Sequence, residues 1–235
     1  ELGSYEAEGG HAGAVVVEAN TAYVADRNWG MRIINVSDPS RPAQLGFYTP
    51  MGYADSVAVQ GNYAYVAAGA YGLRVLDISD LSNPRQIGFY DIQSYAKSVI
   101  AAGDYVYVSG FMPGETPGLH ILDVHDPPHP RLVSYLTENQ RGPCRDMAMG
   151  GQIVYQATES GLRLIDVSNP HGPFEAAFIH LWEWPGEVLS QAVGVAVSGS
   201  LAYVAVGSAG LTIIDISKPS NPVVTGQCRW QNAFA

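Results

Sequence analysis

"GLRVLDISDLSNP", residues 72–84, reads as an apolar strand that ends in an acid and then breaks on Asn and Pro. The phrase returns as "GMRIINVSDPSRP" (30–42), "GLHILDVHDPPHP" (118–130), "GLRLIDVSNPHGP" (161–173) and "GLTIIDISKPSNP" (210–222). Aligned on Asn35, Asp77, Asp123, Asp166 and Asp215, the copies step by 42, 46, 43 and 49 residues, so the chain holds five units. Each unit carries four strand-like segments, in the second copy 53–61, 63–69, 73–79 and 85–91. Tyr, Val and Ile dominate them and Gly, Asn or Pro separates them, which is how short antiparallel strands are written. No stretch keeps a helical period.

The second and third segments are apolar at nearly every position, as in "AYVAD" (22–26), "YVYVS" (105–109) and "AYVAV" (202–206). A strand written that way is covered on both faces. One four-stranded sheet per unit, packed against a neighbouring unit on each side, meets that demand. Radial packing of units this long predicts an all-β fold, a five-bladed β-propeller of four-stranded antiparallel sheets forming a single domain over residues 1–235. A linear solenoid is the competing geometry, but its usual repeats are shorter.

"GLRVLDISDLSNP", paired with "GNYAYVA" (61–67), resembles the LVIVD-repeat family, a bacterial and archaeal group of predicted β-propellers. The resemblance covers essentially the whole chain, with departures: Asn35 replaces the acid, Asn169 and Lys218 replace the following Asp, and Leu81 replaces a Pro. It implies a fold and an extracytoplasmic setting, and it carries no activity over to any residue.

The repeated acid is expected to shape a turn. Asp and Asn both accept hydrogen bonds from backbone N–H groups two or three residues on. Asn35 keeps the acceptor and drops the charge, which a turn tolerates and a general base does not. The prolines that follow (Pro39, Pro127, Pro170, Pro219) fix φ where the chain leaves the strand.

Composition narrows the function classes. Hydrophobic residues make up 47% and charged residues 14%, with 26 Gly and 15 Pro, which suits a packed fold with many tight turns. The net charge of −10 with only two lysines argues against a nucleic-acid partner. No run approaches the length of a membrane span. The absence of an initial Met or a signal-peptide pattern is expected of a mature or excised product. Cys144 and Cys228 do not make a disulfide framework.

No nucleophile elbow, zinc-protease helix, P-loop or C-x-x-C is present, and "GHAGAV" (10–15) opens a strand rather than a helix. No cofactor, no metal and no catalytic set is expected. His125, His129 and His171 fall in equivalent turns, but solvated turn histidines are the commoner reading than a metal site; His120 lies on the strand before. In a propeller the first strand of each blade lines the central channel, and Asp55, Lys97, Arg145 and Asp146 stand near its start. They read as charges that pair with each other, with a small-ligand or ion site as the alternative.

Propeller geometry puts the strand 2–3 loops and the strand 4–1 loops on one face. Both long insertions, 111–118 and 180–191, fall there, as do Trp29 and Tyr71. Candidate contacts for a ligand or partner are therefore Trp29, Tyr71, Phe111, Met112, Trp182 and Trp184. The two tryptophans of the second insertion either bind or fold back as a plug, and both readings stay open.

The ends carry a surplus. "ELGSYEAEGG" (1–10) aligns with "QLGFYTPMGY" (44–53) and so reads as an extra fourth strand, with Leu2, Gly3 and Tyr5 in its pattern, yet the last unit has its own fourth strand, 222–230. An unpaired strand is a template for association. The expectation is a non-enzymatic, extracellular or cell-surface module for adhesion or self-assembly, linked through a terminal strand to itself or to another surface protein. The alternative is a glycan- or small-ligand-binding module.

Overall fold

The computed structural model describes residues 3–5, 10–49, 52–111, 118–137, 142–181 and 191–229. They form twenty strands in five four-stranded antiparallel sheets, each in simple meander order. Blade 1 holds β1 (Ala12–Glu18), β2 (Thr21–Asp26), β3 (Gly30–Asn35) and β4 (Ala43–Tyr48). Blade 2 holds β5 (Ser56–Gln60), β6 (Tyr63–Ala67), β7 (Leu73–Asp77) and β8 (Arg85–Tyr90). Blade 3 holds β9 (Tyr95–Ala102), β10 (Tyr105–Phe111), β11 (Gly118–Asp123) and β12 (Arg131–Thr137). Blade 4 holds β13 (Cys144–Gly150), β14 (Ile153–Thr158), β15 (Gly161–Asp166) and β16 (Phe174–His180). Blade 5 holds β17 (Ala192–Ser198), β18 (Leu201–Val206), β19 (Gly210–Asp215) and β20 (Val223–Cys228). The only helical pieces among the described residues are two three-residue 3-10 turns, Arg27–Trp29 and Gly207–Ala209. The fold is the five-bladed β-propeller class. The chain divides into two compact units, blades 1 to 3 through Tyr135 and blades 4 and 5 from Leu136 on.

Each inner strand has two apolar faces, and within a unit each face meets the next blade. Tyr23, Ala25, Met31 and Ile33 of blade 1 form one buried cluster with Val57, Val59, Val66 and Leu76 of blade 2. Blade 2 then turns its other face, Tyr65, Ala67, Leu73 and Val75, toward Val99, Val106, Val108 and Leu122 of blade 3. In the second unit Tyr155, Ala157, Leu162 and Leu164 of blade 4 pack with Val195, Ala202, Val204 and Ile214 of blade 5. Each of these three junctions thus joins the Tyr–Ala face of one blade, here the leading face, to the Val face of the next, the trailing face. Burial of these aliphatic side chains, at about 25 cal/mol per Å² of apolar surface, is what sets the blades side by side.

The repeated acid shapes the turn. Asp77 Oδ1 accepts from the Ser79 amide at 2.9 Å. Asn35 does the same for Ser37 at 2.9 Å. Asp123, Asp166 and Asp215 each accept at 2.8 Å from His125, Ser168 and Ser217. The amide and hydroxyl of the following serine hold the Asp77, Asp166 and Asp215 carboxyls below the ordinary carboxylate range. Asn35 makes the same bond without a charge, so geometry rather than ionisation is what the position requires.

The residue three places before the repeated acid in each third strand (Arg32, Arg74, His120, Arg163 and Thr212) points to the trailing face and breaks its apolar pattern. Arg163 in this place is fully buried: its Nε donates to Glu175 at 2.8 Å and its Nη2 to the Thr137 carbonyl at 2.8 Å. Arg32 pairs with Asp26 at 2.7 Å, while Arg74 lies against the rings of Tyr71 and Phe89. A guanidinium taken out of water needs such partners, because an unpaired buried charge costs several kcal/mol.

The strand 1–2 hairpins turn on two residues. Gly61, Gly103, Gly151 and Gly199 take the first position in the left-handed region, at φ 57–60°. In blade 1 the same place holds Ala19 at φ 50°. A Cβ at the four glycines would meet nothing within 4 Å, so the cost of Ala19 is one of backbone conformation alone. Ala19→Gly is expected to stabilise the chain by about 0.5–1 kcal/mol in urea unfolding, with an unchanged m-value.

Candidate interaction surfaces

In the first unit Asp55 sits just before β5 and is nearly enclosed. Lys97 Nζ donates to its Oδ1 at 2.6 Å, the Tyr95 hydroxyl donates to its Oδ2 at 2.7 Å, and Arg27 Nε stands 3.8 Å from Oδ1. Burial first, and then the bond to Asp55, push the Tyr95 phenol well above its ordinary range. One carboxylate from blade 2 therefore ties together a base from blade 1 and two side chains from blade 3. In the second unit Arg145 donates to Glu159 at 2.7 Å and to Gln191 at 3.1 Å. Asp146 accepts from its neighbour Met147 at 2.9 Å and, across to blade 5, from the Val195 amide at 3.0 Å. Burial raises the Asp146 carboxyl despite these two bonds.

All four polar candidates are thus held by groups of their own unit. Arg27 and Glu159 complete the clusters and were not singled out from sequence. The signal was available: both lie in the loop between strands 2 and 3, directly beside the start of strand 1 in the same or the next blade.

Trp29, Tyr53 and Tyr71 are each about half exposed, on equivalent loops or strand entrances of blades 1 and 2. Tyr71 packs its ring on Gly52, where a Cβ would collide, and lies 5.8 Å from the Arg74 guanidinium. Phe111 ends β10 half-buried, opposite Tyr95 in the ladder. Met112, Trp182 and Trp184 lie outside the described residues, and so does the choice between binding and plugging.

A second set of exposed aromatics runs along the fourth strands. Phe47 and Phe89 occupy equivalent places in β4 and β8, and Tyr135 the same place in β12. The recurring "GFY" (46–48 and 88–90) is the sequence signal for it. Beside Phe89, a groove of about 610 Å³ runs between Ile87–Phe89 and Pro128–Arg131.

The chain's first described residues dock on blade 1. Tyr5 donates to Gln44 at 2.9 Å, as Tyr48 donates to Gln86 at 2.6 Å one blade later. A Cβ on Gly3 would stand 2.5 Å from the Pro39 carbonyl, as one on Gly88 would stand 2.6 Å from that of Pro128. Gly46 is closed off in the same way by the Leu81 carbonyl. Residues 3–5 therefore hold the place of a fourth strand belonging to a blade before blade 1. They form no ladder of their own, since no third strand lies beside them among the described residues. Leu2 is outside the described residues.

The histidines do not gather. His129 Nδ1 stands 2.9 Å from Asp126 and His125 Nδ1 3.9 Å from Asp104, and the His171 amide donates to Asn169. Among the described residues no three His, Cys, Asp or Glu side chains come together as a metal set. His120 departs from the others: it fills the trailing-face position taken by arginine in blades 1, 2 and 4. It stacks on Tyr135 at 4.7 Å, and its Nδ1 is buried without a partner while the other ring nitrogen donates to the Val108 carbonyl. Burial lowers its pKa to about 4.

These features sit on a recognised repeat. Five matches to the LVIVD repeat cover residues 9–49, 51–92, 93–137, 141–177 and 190–229, so the chain belongs to the LVIVD-repeat family. No curated protein matches it in sequence. A protein from Lactobacillus plantarum has 14% identity and a TM-score of 0.79, over 93% of this chain and 71% of its own. The periplasmic gluconolactonase PpgL of Pseudomonas aeruginosa has 12% identity and a TM-score of 0.71, over 88% and 66%. BamB from Moraxella catarrhalis has 15% identity and a TM-score of 0.60, over 90% and 60%. The chain thus spans about two thirds of the length of these proteins. At such identities the likeness establishes the fold alone. No helix among the described residues is long and apolar enough to cross a membrane.

The low pKa of His120 makes a signed expectation. The folded chain keeps this imidazole neutral while the unfolded chain protonates it near pH 6.5, so its contribution is complete above about pH 6.5 and is lost as pH falls toward 4. Unfolding free energy should drop by up to about 1.4 kcal/mol per pH unit in that window on account of this group. In His120→Phe that part of the slope should vanish, measured by urea unfolding at pH 4.5, 5.5 and 7.

Proposed function

We propose that the chain is a non-catalytic interaction module that acts outside the cytoplasm, at the cell surface or in the extracellular space, and links to copies of itself through its N-terminal segment. The observation that carries this reading is the position of residues 3–5. They stand where a fourth strand belongs, through Tyr5–Gln44 and the closely packed Gly3, while β19 of the last blade already has β20 as its outer strand. A segment that takes an outer-strand position and joins no ladder among the described residues can add to a sheet edge of another copy. The non-catalytic part is supported by the polar clusters, where Asp55, Asp146 and Arg145 are taken up by neighbours within the unit. The setting is supported by the fold's occurrence in a periplasmic protein and in PorZ, described as a bacterial surface component. Deleting residues 1–8 should leave a folded chain by circular dichroism and abolish concentration-dependent species in light scattering. Unchanged species after the deletion would refute the link.

A glycan-binding reading is favoured by Trp29 and Tyr71, whose half-exposed rings sit on equivalent loops. Such platforms stack on sugar faces for about 1 kcal/mol each. Trp29→Ala with Tyr71→Ala should remove any signal that the unaltered chain gives on a glycan array.

A further inference from the structure

Three side chains from blades 1 and 3 converge on Asp55 of blade 2, and two of them keep donors that nothing among the described residues takes up. Arg27 opens the 3-10 turn Arg27–Trp29, and its carbonyl accepts from the Ala54 amide at 2.9 Å, which fixes the turn over the entrance to β5. Its side chain is 53% exposed, and its Nε stands 3.8 Å from Asp55, too far for a hydrogen bond. Lys97 gives one N–H to Asp55 at 2.6 Å and is itself partly exposed. Asp55 is enclosed and also accepts from the Tyr95 hydroxyl, so the one acid of the cluster has no side left for a ligand. Two bases therefore meet one acid, in a chain whose 22 acidic residues outnumber its 12 lysines and arginines.

Rings border this basic spot. Tyr53, two residues before Asp55, is half exposed, and both it and Arg27 lie within electrostatic reach of the Tyr95 hydroxyl. Tyr71 is seated beside Tyr53 on Gly52, whose φ of 99° and missing Cβ make room for the ring. Flat rings fixed on short loops stack on the C–H faces of sugars. A guanidinium beside them offers paired N–H donors in the geometry of a carboxylate, a group that neutral sugars lack. We infer that this face of blades 1 to 3 binds sugars that carry a carboxylate, with Arg27 and Lys97 holding the carboxylate and Tyr53 and Tyr71 the sugar ring. The inference rests on the glycan reading above and adds the chemical class of the sugar. Asp55 is a positioning residue there: it orients both bases without touching the ligand.

Binding titrations separate the charge from the ring. The probes are oligomers of galacturonic, glucuronic and mannuronic acid, the methyl ester of each, and the corresponding neutral hexose oligomers. The unaltered chain should bind at least one acidic oligomer about ten-fold more tightly than its ester. That preference should shrink as salt is raised. Arg27→Gln leaves Asp55 its bonds to Lys97 and Tyr95, so the fold is kept, and circular dichroism checks it. This variant should bind acid and ester nearly alike, while Arg27→Lys recovers part of the preference. Tyr53→Ala should weaken acid and ester by the same factor, since stacking does not read charge. Equal binding of acids, esters and neutral oligomers would overturn the carboxylate assignment and leave the glycan reading standing. Binding of none of the probes would overturn both. A preference for acids that survives Arg27→Gln unchanged would overturn the role given to Arg27. Displacement of the acidic oligomer by poly-glutamate at equal carboxylate concentration would mark a general anion site and overturn the assignment to sugars.

Discussion

Everything in this chain follows from sheets that are apolar on both faces. A four-stranded antiparallel sheet with one wet face can stand beside a single partner, but Val57 and Tyr65 point to opposite sides of blade 2 and both are buried. The blade must therefore be clasped by a neighbour on each side, and the neighbour has the same requirement. Side-by-side stacking of a repeated unit satisfies it for every member that has two neighbours.

Tight stacking leaves little room for charge, and the charges that remain in it are tied down. Asp55, Lys97, Tyr95 and Arg27 make one cluster across three blades, and Arg163 is enclosed by Glu175 and the Thr137 carbonyl. Desolvation forces this: a carboxylate or guanidinium between blades persists only with partners at hydrogen-bond distance. The same groups that a search for chemistry would single out act as fasteners between blades. Exposed chemistry is left to the loops and the fourth strands, where Trp29, Tyr71, Phe47 and Phe89 offer apolar rings on a rigid support.

The fold was largely legible in the residues. Five copies of one phrase set the blade number, and continuous apolar runs such as "YAYVAAG" (63–69) placed β6 to within two residues at its end. The turn role of Asp77 was legible because Asn35 appears in the same place without a charge. The candidate site was legible only in part. Asp55 and Lys97 were visible near the strand starts, but Arg27, 28 residues before Asp55, belongs to their cluster only through the stacking of blades 1 and 2. His120 was visible on a third strand beside the turn histidines, and only its place on the trailing face, under Tyr135, gives it an environment of its own.

By itself the sequence determined the repeat, the strand order within each blade and the turn chemistry, because these depend on residues a few positions apart: two-residue hairpins, an acceptor two residues before an amide, alternation along a strand. It also set which faces are apolar. Only the tertiary structure decided which apolar faces are covered and which charges are consumed, since both depend on what a second blade brings against the first. Val15 and Val57 are the same residue in the same phrase. One is open and the other buried, because burial is a property of the neighbour and not of the strand.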